Sequence, residues 1–271
     1  MKNVYAVVCC IMLLCTIYAR FVYTPPVHHY TSNYHEEFNT EMMQLNSFEK
    51  LENSLAITIN NNYNDTSLLV NSIDDLLRKR FLHSYSSYSY RDNWITTLLG
   101  NYVWQDFKFI VNPYHIIKYP MAACSQQGLV FQQMLRNHKI KFATVQFNTT
   151  NGTSGHYAVN AFYGGDWHYF DSNMEPKKIK GNPSMKTLLK DSLLTKIYTA
   201  QNKVWLEGKI NNHLIARVNE NKEAGTHMLL FHTITAFISN WGWLLLGIMY
   251  IIMGTKQYTF FKAKLLNKLT Y

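Results

Sequence analysis

Two long apolar stretches enclose a region in which polar and apolar residues alternate. One stretch runs from Val4 to Tyr18, and the other runs from Leu229 to Met253. The second stretch is long enough to cross a bilayer as a tilted helix. The first is short for a membrane span, although Arg20 could reach the interface and extend it. We therefore predict an N-terminal membrane anchor or signal segment over 1–23 and a transmembrane helix over 228–254.

The ends of the chain predict how it is oriented in a membrane. A cleaved signal peptide is the alternative for the first stretch, but Ile17–Tyr18–Ala19 supplies few of the small residues that precede a cleavage site. We favour an uncleaved anchor. The tail 255–271 carries four lysines and no acidic residue, which predicts a cytoplasmic position. The region between the apolar stretches is then predicted on the extracytoplasmic side, either periplasmic or extracellular.

The spacing of apolar residues changes between helical and strand-like in the middle of the chain. Ser67–Leu82 has helical spacing, and Cys124–Asn137 has it again just after Pro120. Strand-like alternation follows in three segments, Ile140–Phe147, His156–Tyr163 and Trp167–Asp171. Gly164–Gly165 joins the last two as a hairpin. We predict an α+β domain over 67–227, in which the Cys124 helix packs on an antiparallel sheet, and a polar linker or stalk over 24–66.

The positive charge of the chain belongs mostly to its membrane segments. Two basic residues in the first segment and four in the tail account for six of the net +9, which leaves +3 for the middle of the chain. A nearly neutral domain lacks the basic surface that nucleic-acid binding requires. We therefore expect a membrane partner and no nucleic-acid partner.

Cys124 is the only cysteine outside the first apolar stretch, so the middle domain has no second cysteine for a disulfide. It begins a predicted helix, where free N–H groups and the positive end of the helix dipole favour a thiolate. His156 begins one predicted strand and Asp171 ends the next, so their hairpin can bring them side by side. Each residue alone also has a simpler structural interpretation. Together they supply the thiol, imidazole and carboxylate of thiol-based acyl transfer, and we predict them as catalytic.

Other polar residues are expected to lie outside the chemistry. His168 is predicted on the surface of a strand, and Gln126 and Gln127 are predicted at capping or solvated helix positions. Three histidines in the predicted linker give only a weak metal signal, because no cysteine accompanies them and a linker is exposed to solvent: His28, His29 and His35. We expect no metal and no cofactor.

Three motifs in order resemble the transglutaminase-like superfamily: Ala122–Ala123–Cys124–Ser125–Gln126–Gln127, Gly155–His156–Tyr157–Ala158–Val159 and Trp167–His168–Tyr169–Phe170–Asp171. In that family a small residue precedes the nucleophilic cysteine at a helix N-terminus. The histidine opens an alternating strand, and a tryptophan precedes the aspartate by four positions. The resemblance covers about residues 67–185. It implies a papain-like α+β core, with Cys124 as the nucleophile, His156 as the base and Asp171 as its orienting carboxylate.

The chain also departs from the family pattern. Ala123 precedes the cysteine where the family often has glycine, Gly128 stands where alanine often follows, and Tyr157 stands where alanine usually follows the histidine. None of these changes removes a catalytic atom. No side-chain donor to an oxyanion can be matched, and the upstream candidates are Tyr119, Trp104 and Gln105.

The leading hypothesis is a membrane-anchored thiol enzyme that acts on an amide or ester bond of a protein or peptide. It would form an acyl-enzyme at Cys124 and release the acyl group to water or to an amine, a choice that the three residues leave open. One alternative is a non-catalytic papain-like domain that binds a partner as a scaffold. Another is an accessory subunit that works only within an envelope complex.

Overall fold

The computed structural model of the chain describes residues 2–23, 37–148, 154–173, 183–190, 193–198, 204, 206–209, 215–222 and 225–269. The predicted histidine cluster of the linker lies outside these residues. The chain divides into two compact units. One unit comprises Met1–His28, Ser87–Phe109 and His227–Tyr271, and the other comprises His29–Ser86 and Ile110–Thr226. We call the first the helical unit and the second the sheet unit.

The described residues form helices and one sheet. The helices, in chain order, are α1 (Lys2–Ile17), α2 (Phe48–Thr58), α3 (Thr66–Arg80), α4 (Tyr90–Tyr102), α5 (Pro113–Ile116), α6 (Cys124–Asn137), α7 (Met185–Lys190), α8 (Leu194–Ile197) and α9 (Thr226–Leu269). The strands are β1 (Lys141–Asn148), β2 (Ser154–Tyr163), β3 (Asp166–Phe170) and β4 (Ile215–Val218). Short 3-10 turns cover Thr40–Gln44 and Gln105–Lys108.

The sheet has four strands in the order β3-β2-β1-β4, and every neighbouring pair is antiparallel. Gly164 and Gly165 have φ values of 58° and 85°, which glycine adopts readily, and they turn β2 into β3. The α+β class, the Cys124 helix and the three predicted strands are confirmed. A fourth strand, β4, which is not among the alternating segments of the sequence, pairs with β1. Four residues are too few to show strand alternation in sequence, and this strand forms because β1 offers a free edge.

α6 buries one face against the sheet. Val130, Phe131, Met134 and Leu135 are all buried, and the ring of Phe131 lies 5.5 Å from that of Phe170 on β3. Burying such a side chain contributes about 1.5–3 kcal/mol, so this face fixes α6 firmly on the sheet. The fixed helix in turn sets the position of Cys124 at its first turn.

The described part of the predicted linker over 24–66 differs from a simple tether. Ser47 caps the start of α2 by accepting a hydrogen bond from the N–H of Lys50. Leu51 and Leu55 are fully buried, and α2 packs against α3. The apolar residues of α2 repeat only over three turns within a polar region, which is why the sequence alone did not indicate a buried helix.

The helical unit contains two helices that are long and apolar enough to cross a membrane. The candidate spans are Val4–Val22, with 19 residues, and Thr226–Ile252, with 27 residues. They pack closely, since a Cβ at Gly242 would lie 2.5 Å from Met12 Cε. The hydroxyl of Thr16 donates to the Ser239 carbonyl at 3.0 Å. Which side of a membrane each end would face stays a prediction.

Candidate active site

Backbone pairing holds the start of α6 in place. The N–H of Leu82 donates to the Pro120 carbonyl at 2.9 Å, and the N–H of Ala122 donates back to the Leu82 carbonyl at 3.0 Å. These bonds fix the segment Pro120–Ala122, which directly precedes Ala123, the N-cap of α6. Cys124 follows as the first helical residue, and its side chain is partly exposed.

Gln126 is a buried anchor for this helix start. Its Oε1 accepts from the N–H of Ser86 at 2.8 Å and from the N–H of Ala123 at 3.2 Å. Its Nε2 donates to the carbonyls of Ser86 and Ile110, each at 2.7 Å. The capping role expected for Gln126 is thus present, but the side chain is buried and also ties two neighbouring segments to α6.

Gln127 has a comparable role one residue later. Its Nε2 donates to the carbonyls of Leu77 at 3.0 Å and Ser172 at 2.9 Å, and its Oε1 accepts from Asn173 Nδ2 at 2.8 Å. The side chain therefore joins α3, α6 and the segment that follows Asp171. The expected solvated position is wrong, because these three backbone and amide partners compensate for burial of the amide.

His156 and Asp171 form the centre of the site. His156 lies on β2 opposite Phe147 of β1, and Asp171 directly follows β3. The imidazole Nε2 and the carboxylate Oδ2 are 2.5 Å apart, and both side chains are buried. The antiparallel hairpin brings these two predicted residues together, as expected. A charge-assisted hydrogen bond of this length holds the ring in one orientation.

Cys124 approaches the same imidazole. Burial lowers the pKa of His156, but the charge and hydrogen bond of Asp171, together with the nearby Cys124 thiol, raise it from its ordinary 6.5 to about 10. Because Nε2 is bound to Asp171, Nδ1 is the ring nitrogen left to exchange a proton with the thiol. The described structure thus brings all three predicted residues to one site.

Asp171 has several further partners. Its Oδ2 accepts from the hydroxyl of Tyr198 at 2.7 Å, and its Oδ1 accepts from the N–H of Asn173 at 3.2 Å. The hydroxyls of Tyr169 and Tyr198 are hydrogen-bonded to each other. Burial and the negative charge of Asp171 raise the pKa of both phenols, so both remain protonated donors. These donors compensate the buried carboxylate for the water it has lost.

A buried arginine supports the same segment from α3. Arg78 Nη2 donates to the Asp171 carbonyl at 3.0 Å and to Asp74 Oδ2 at 3.1 Å. Burial lowers the pKa of Arg78, but the charge of Asp74 outweighs that effect and raises it. The ion pair therefore keeps a positive charge next to the backbone of Asp171.

Sequence reasoning missed several residues of this site, namely Arg78, His83, Asn173 and Tyr198. Burial lowers the pKa of His83, the nearby side chain of Asn173 raises it, and the imidazole of His156 lowers it, so His83 lies beside both residues. His83 directly follows Leu82, whose backbone is paired with the start of α6. Only Arg78 left a signal in sequence, because a charged pair four residues apart lies on the buried face of an amphipathic helix.

Some candidates lie elsewhere. His168 stacks on Tyr163 with ring centroids 3.9 Å apart and is outside the Cys124 site. Trp104 and Gln105, two of the oxyanion candidates, belong to the helical unit, whereas Cys124 belongs to the sheet unit. Among the described residues, no group of three or more His, Cys, Asp or Glu side chains is arranged to hold a metal ion.

The chain matches no protein-family model, no curated protein and no solved structure. The chemistry of the site is therefore inferred from its own residues and geometry.

Proposed function

We propose that this chain is a membrane-anchored thiol enzyme of the transglutaminase-like type, which breaks an amide or ester bond through Cys124, His156 and Asp171. The observation that carries the proposal is the buried 2.5 Å hydrogen bond between His156 Nε2 and Asp171 Oδ2, with Cys124 at the same imidazole. A helix that begins at the cysteine and packs on an antiparallel sheet also supports a papain-like core.

The first half of the reaction forms an acyl-enzyme. His156 Nδ1 takes the proton of the Cys124 thiol, and the sulfur attacks the carbonyl carbon of the substrate. The negative charge moves to the carbonyl oxygen, near N–H groups in the first turn of α6 that have no acceptor within the helix. The carbon–nitrogen or carbon–oxygen bond then breaks, and the imidazolium returns its proton to the leaving group.

The second half releases the acyl group. His156 takes a proton from water or from an amine, and the oxygen or nitrogen attacks the thioester. The carbon–sulfur bond breaks, and the thiolate of Cys124 takes the proton from the imidazolium. The product is an acid when water attacks and an amide when an amine attacks. Asp171 stabilises the imidazolium in both halves without taking up the proton itself.

Thiol labelling of the full-length protein in detergent tests this proposal. Iodoacetamide is added to folded and denatured protein, and mass spectrometry follows the peptide that contains Cys124. We expect labelling at least about tenfold faster in the folded chain, because the imidazole of His156 can take the proton of the thiol as the sulfur attacks. His156→Gln should remove that advantage. His168→Gln is the matched control, since this histidine lies outside the site, and it should label like the unchanged protein.

Two outcomes would contradict the enzyme. One is equal labelling of the folded and denatured chain. The other is equal labelling of the His156→Gln and His168→Gln variants, which is what a non-catalytic scaffold predicts. A thioester substrate then separates the two release reactions, because hydrolysis yields the free acid and an added primary amine yields the amide only in an acyl transferase.

A further inference from the structure

The segment Ser87–Phe109 of the helical unit forms a closed loop in the chain. Ser87 and Phe109 make an antiparallel bridge, and the N–H of Tyr88 donates to the Lys108 carbonyl at 2.9 Å. α4 runs through the segment, and the turn after it folds back on Gly100, where a Cβ would lie 2.6 Å from Lys108 Cβ. We call Ser87–Phe109 the helical loop.

One side of the helical loop binds the polar side chains of α9. Asn93 is buried, and its Nδ2 donates to Thr235 Oγ1 at 3.0 Å while its Oδ1 accepts from Ser239 Oγ at 2.9 Å. Trp94 Nε1 donates to the Ser239 carbonyl at 3.1 Å, and His232 Nε2 is 2.7 Å from the Phe107 carbonyl. These α9 residues lie inside the candidate span Thr226–Ile252. In a bilayer they need such partners, because lipid offers none.

The other side of the helical loop is apolar and exposed. Tyr102 is 79% exposed, Val103 is 70% exposed, and Trp104 is also exposed. The part of α9 that contacts Asn93 is likewise apolar on its exposed side, where Ile234 and Phe237 are exposed. Tryptophan and tyrosine favour the interface between lipid and water, where the ring is buried and the polar atom stays hydrated.

The helical loop begins at the level where the first candidate span ends. That span ends at Val22, and the ring of the next residue, Tyr23, lies 5.3 Å from the ring of Tyr90 at the start of α4. The loop itself carries four charged side chains, Arg91, Asp92, Asp106 and Lys108. Charges are costly in the bilayer centre, so the loop suits the interface and not a third crossing.

We infer that the helical loop is a third membrane contact, which lies in the bilayer interface with Tyr102, Val103 and Trp104 against lipid. The inference rests on the membrane attachment proposed for α1 and α9. The loop thereby covers the polar groups of α9 on one side and meets lipid on the other. Its partner is the phospholipid bilayer itself.

Depth-dependent quenching tests the inference in full-length protein reconstituted in phosphatidylcholine liposomes. Val103→Cys is labelled with an environment-sensitive fluorophore after the native cysteines are replaced by alanine, namely Cys9, Cys10, Cys15 and Cys124. Lipids carry a nitroxide quencher either near the headgroup or near the end of the acyl chain. Phe21→Cys lies in the first span, is 81% exposed, and serves as the positive control for lipid contact. Tyr114→Cys belongs to the sheet unit, is 53% exposed, and serves as the negative control. Tyr102→Cys is used if the Val103 variant does not fold.

We expect the probe at 103 to be quenched about as strongly as the probe at 21, and more by the shallow quencher than by the deep one. The probe at 114 should be quenched little. Equal weak quenching at 103 and 114 would overturn the inference while leaving membrane attachment in place. An apolar emission at 103 without lipid quenching would also overturn it, because a protein would then cover the site. Weak quenching at 21 as well would overturn the membrane attachment itself.

Discussion

Replacing Gly128 with alanine should push α6 away from the sheet next to the candidate active site. A Cβ at Gly128 would lie 2.5 Å from Tyr157 Cε1 and 2.6 Å from Cδ1, whereas ordinary contact is 3.4–4 Å. Gly128 lies one helical turn after Cys124, and Tyr157 directly follows His156. The Tyr157 hydroxyl is held by Thr144 at 2.8 Å and by Gln132 at 3.0 Å, so the ring cannot easily move away.

The expected size of the effect follows from this clash. Overpacking of a core costs about 1–3 kcal/mol. Alanine at an exposed helix position without a clash gains about 1 kcal/mol over glycine. Once Tyr157→Val has removed the ring, Gly128→Ala should therefore stabilise the protein slightly instead of destabilising it. The cost of Gly128→Ala in the unchanged protein minus its cost in the Tyr157→Val protein measures the free energy of the clash. For a chain of this size each kcal/mol shifts the melting temperature by about 2–4 °C.

Gly128→Ala should also slow the proposed reaction of the Cys124 thiol. Relieving the clash needs a shift of about 1 Å between α6 and β2, and such a misplacement of reacting groups can cost about 100-fold in rate. We expect Gly128→Ala to label at Cys124 more slowly with iodoacetamide, and Tyr157→Val to restore part of the rate. The two measurements are thermal melting and labelling of all four members of the double-mutant cycle.

Two controls make the prediction specific. Gly208→Ala adds a Cβ to a helical glycine with no heavy atom within 4 Å, so it should be neutral or slightly stabilising. Tyr157→Phe keeps the ring but removes the hydroxyl that Thr144 and Gln132 hold, so it should reduce the cost of Gly128→Ala less than Tyr157→Val does. The reasoning is refuted if Gly128→Ala costs the same stability with and without the ring, or if it leaves both stability and labelling unchanged.

Three further predictions concern the site itself. Asp171→Asn should slow labelling of Cys124 less than His156→Gln does, because an amide keeps a hydrogen bond to the ring while losing the charge, and an equal loss would contradict this order. Tyr198→Phe removes a 2.7 Å donor to the Asp171 carboxylate and should lower stability by about 1.5–3 kcal/mol in thermal melts, more than Tyr169→Phe, whose hydroxyl is 3.5 Å away. Because the pKa of His156 is raised from 6.5 to about 10 in the folded state, its contribution to stability is complete below pH 6.5 and is lost as the pH rises through 10. The melting temperature should therefore fall more steeply over this window than in His156→Gln, and parallel curves would contradict the assignment.

The parts of the fold that rest on local patterns could be predicted from sequence. The change from helical to alternating spacing after Asn137 indicates α6 and the strands that follow it, and the two glycines indicate the hairpin. The hairpin then places His156 beside Asp171, since the end of one antiparallel strand lies opposite the start of the other. Local spacing was enough here because the hairpin brings residues together that are close in sequence.

The parts that rest on distant contacts could not be predicted. β4 is four residues long and forms only because β1 has a free edge, so nothing in its own sequence marks it. Tyr198 reaches Asp171 across 27 residues of chain, and Arg78 reaches it across 93. Gln127 was expected in solvent because glutamine usually lies there. It is buried because three partners from two separate segments satisfy its amide.

The structure also shows how two residues that differ from the transglutaminase-like pattern fit together. Gly128 lies four residues after Cys124, and Tyr157 directly follows His156, at positions where that pattern has alanine. The two positions contact each other, and the missing Cβ of Gly128 makes room for the ring of Tyr157. The two residues therefore compensate each other in volume, so the distance between α6 and β2 at the site depends on both of them together.

The burial of the three groups indicates how a substrate would reach them. His156 is 4% exposed and Asp171 is 2% exposed, whereas Cys124 is partly exposed. An electrophile can thus reach the sulfur while the proton-transferring pair stays shielded from water. Because Asp171 is held by Tyr198, by the N–H of Asn173 and through its carbonyl by Arg78, the carboxylate is fixed before any substrate binds. In the proposed enzyme, a carboxylate fixed in this way would stabilise the imidazolium without first having to reorganise, and such preorganisation would lower the barrier to forming the acyl-enzyme.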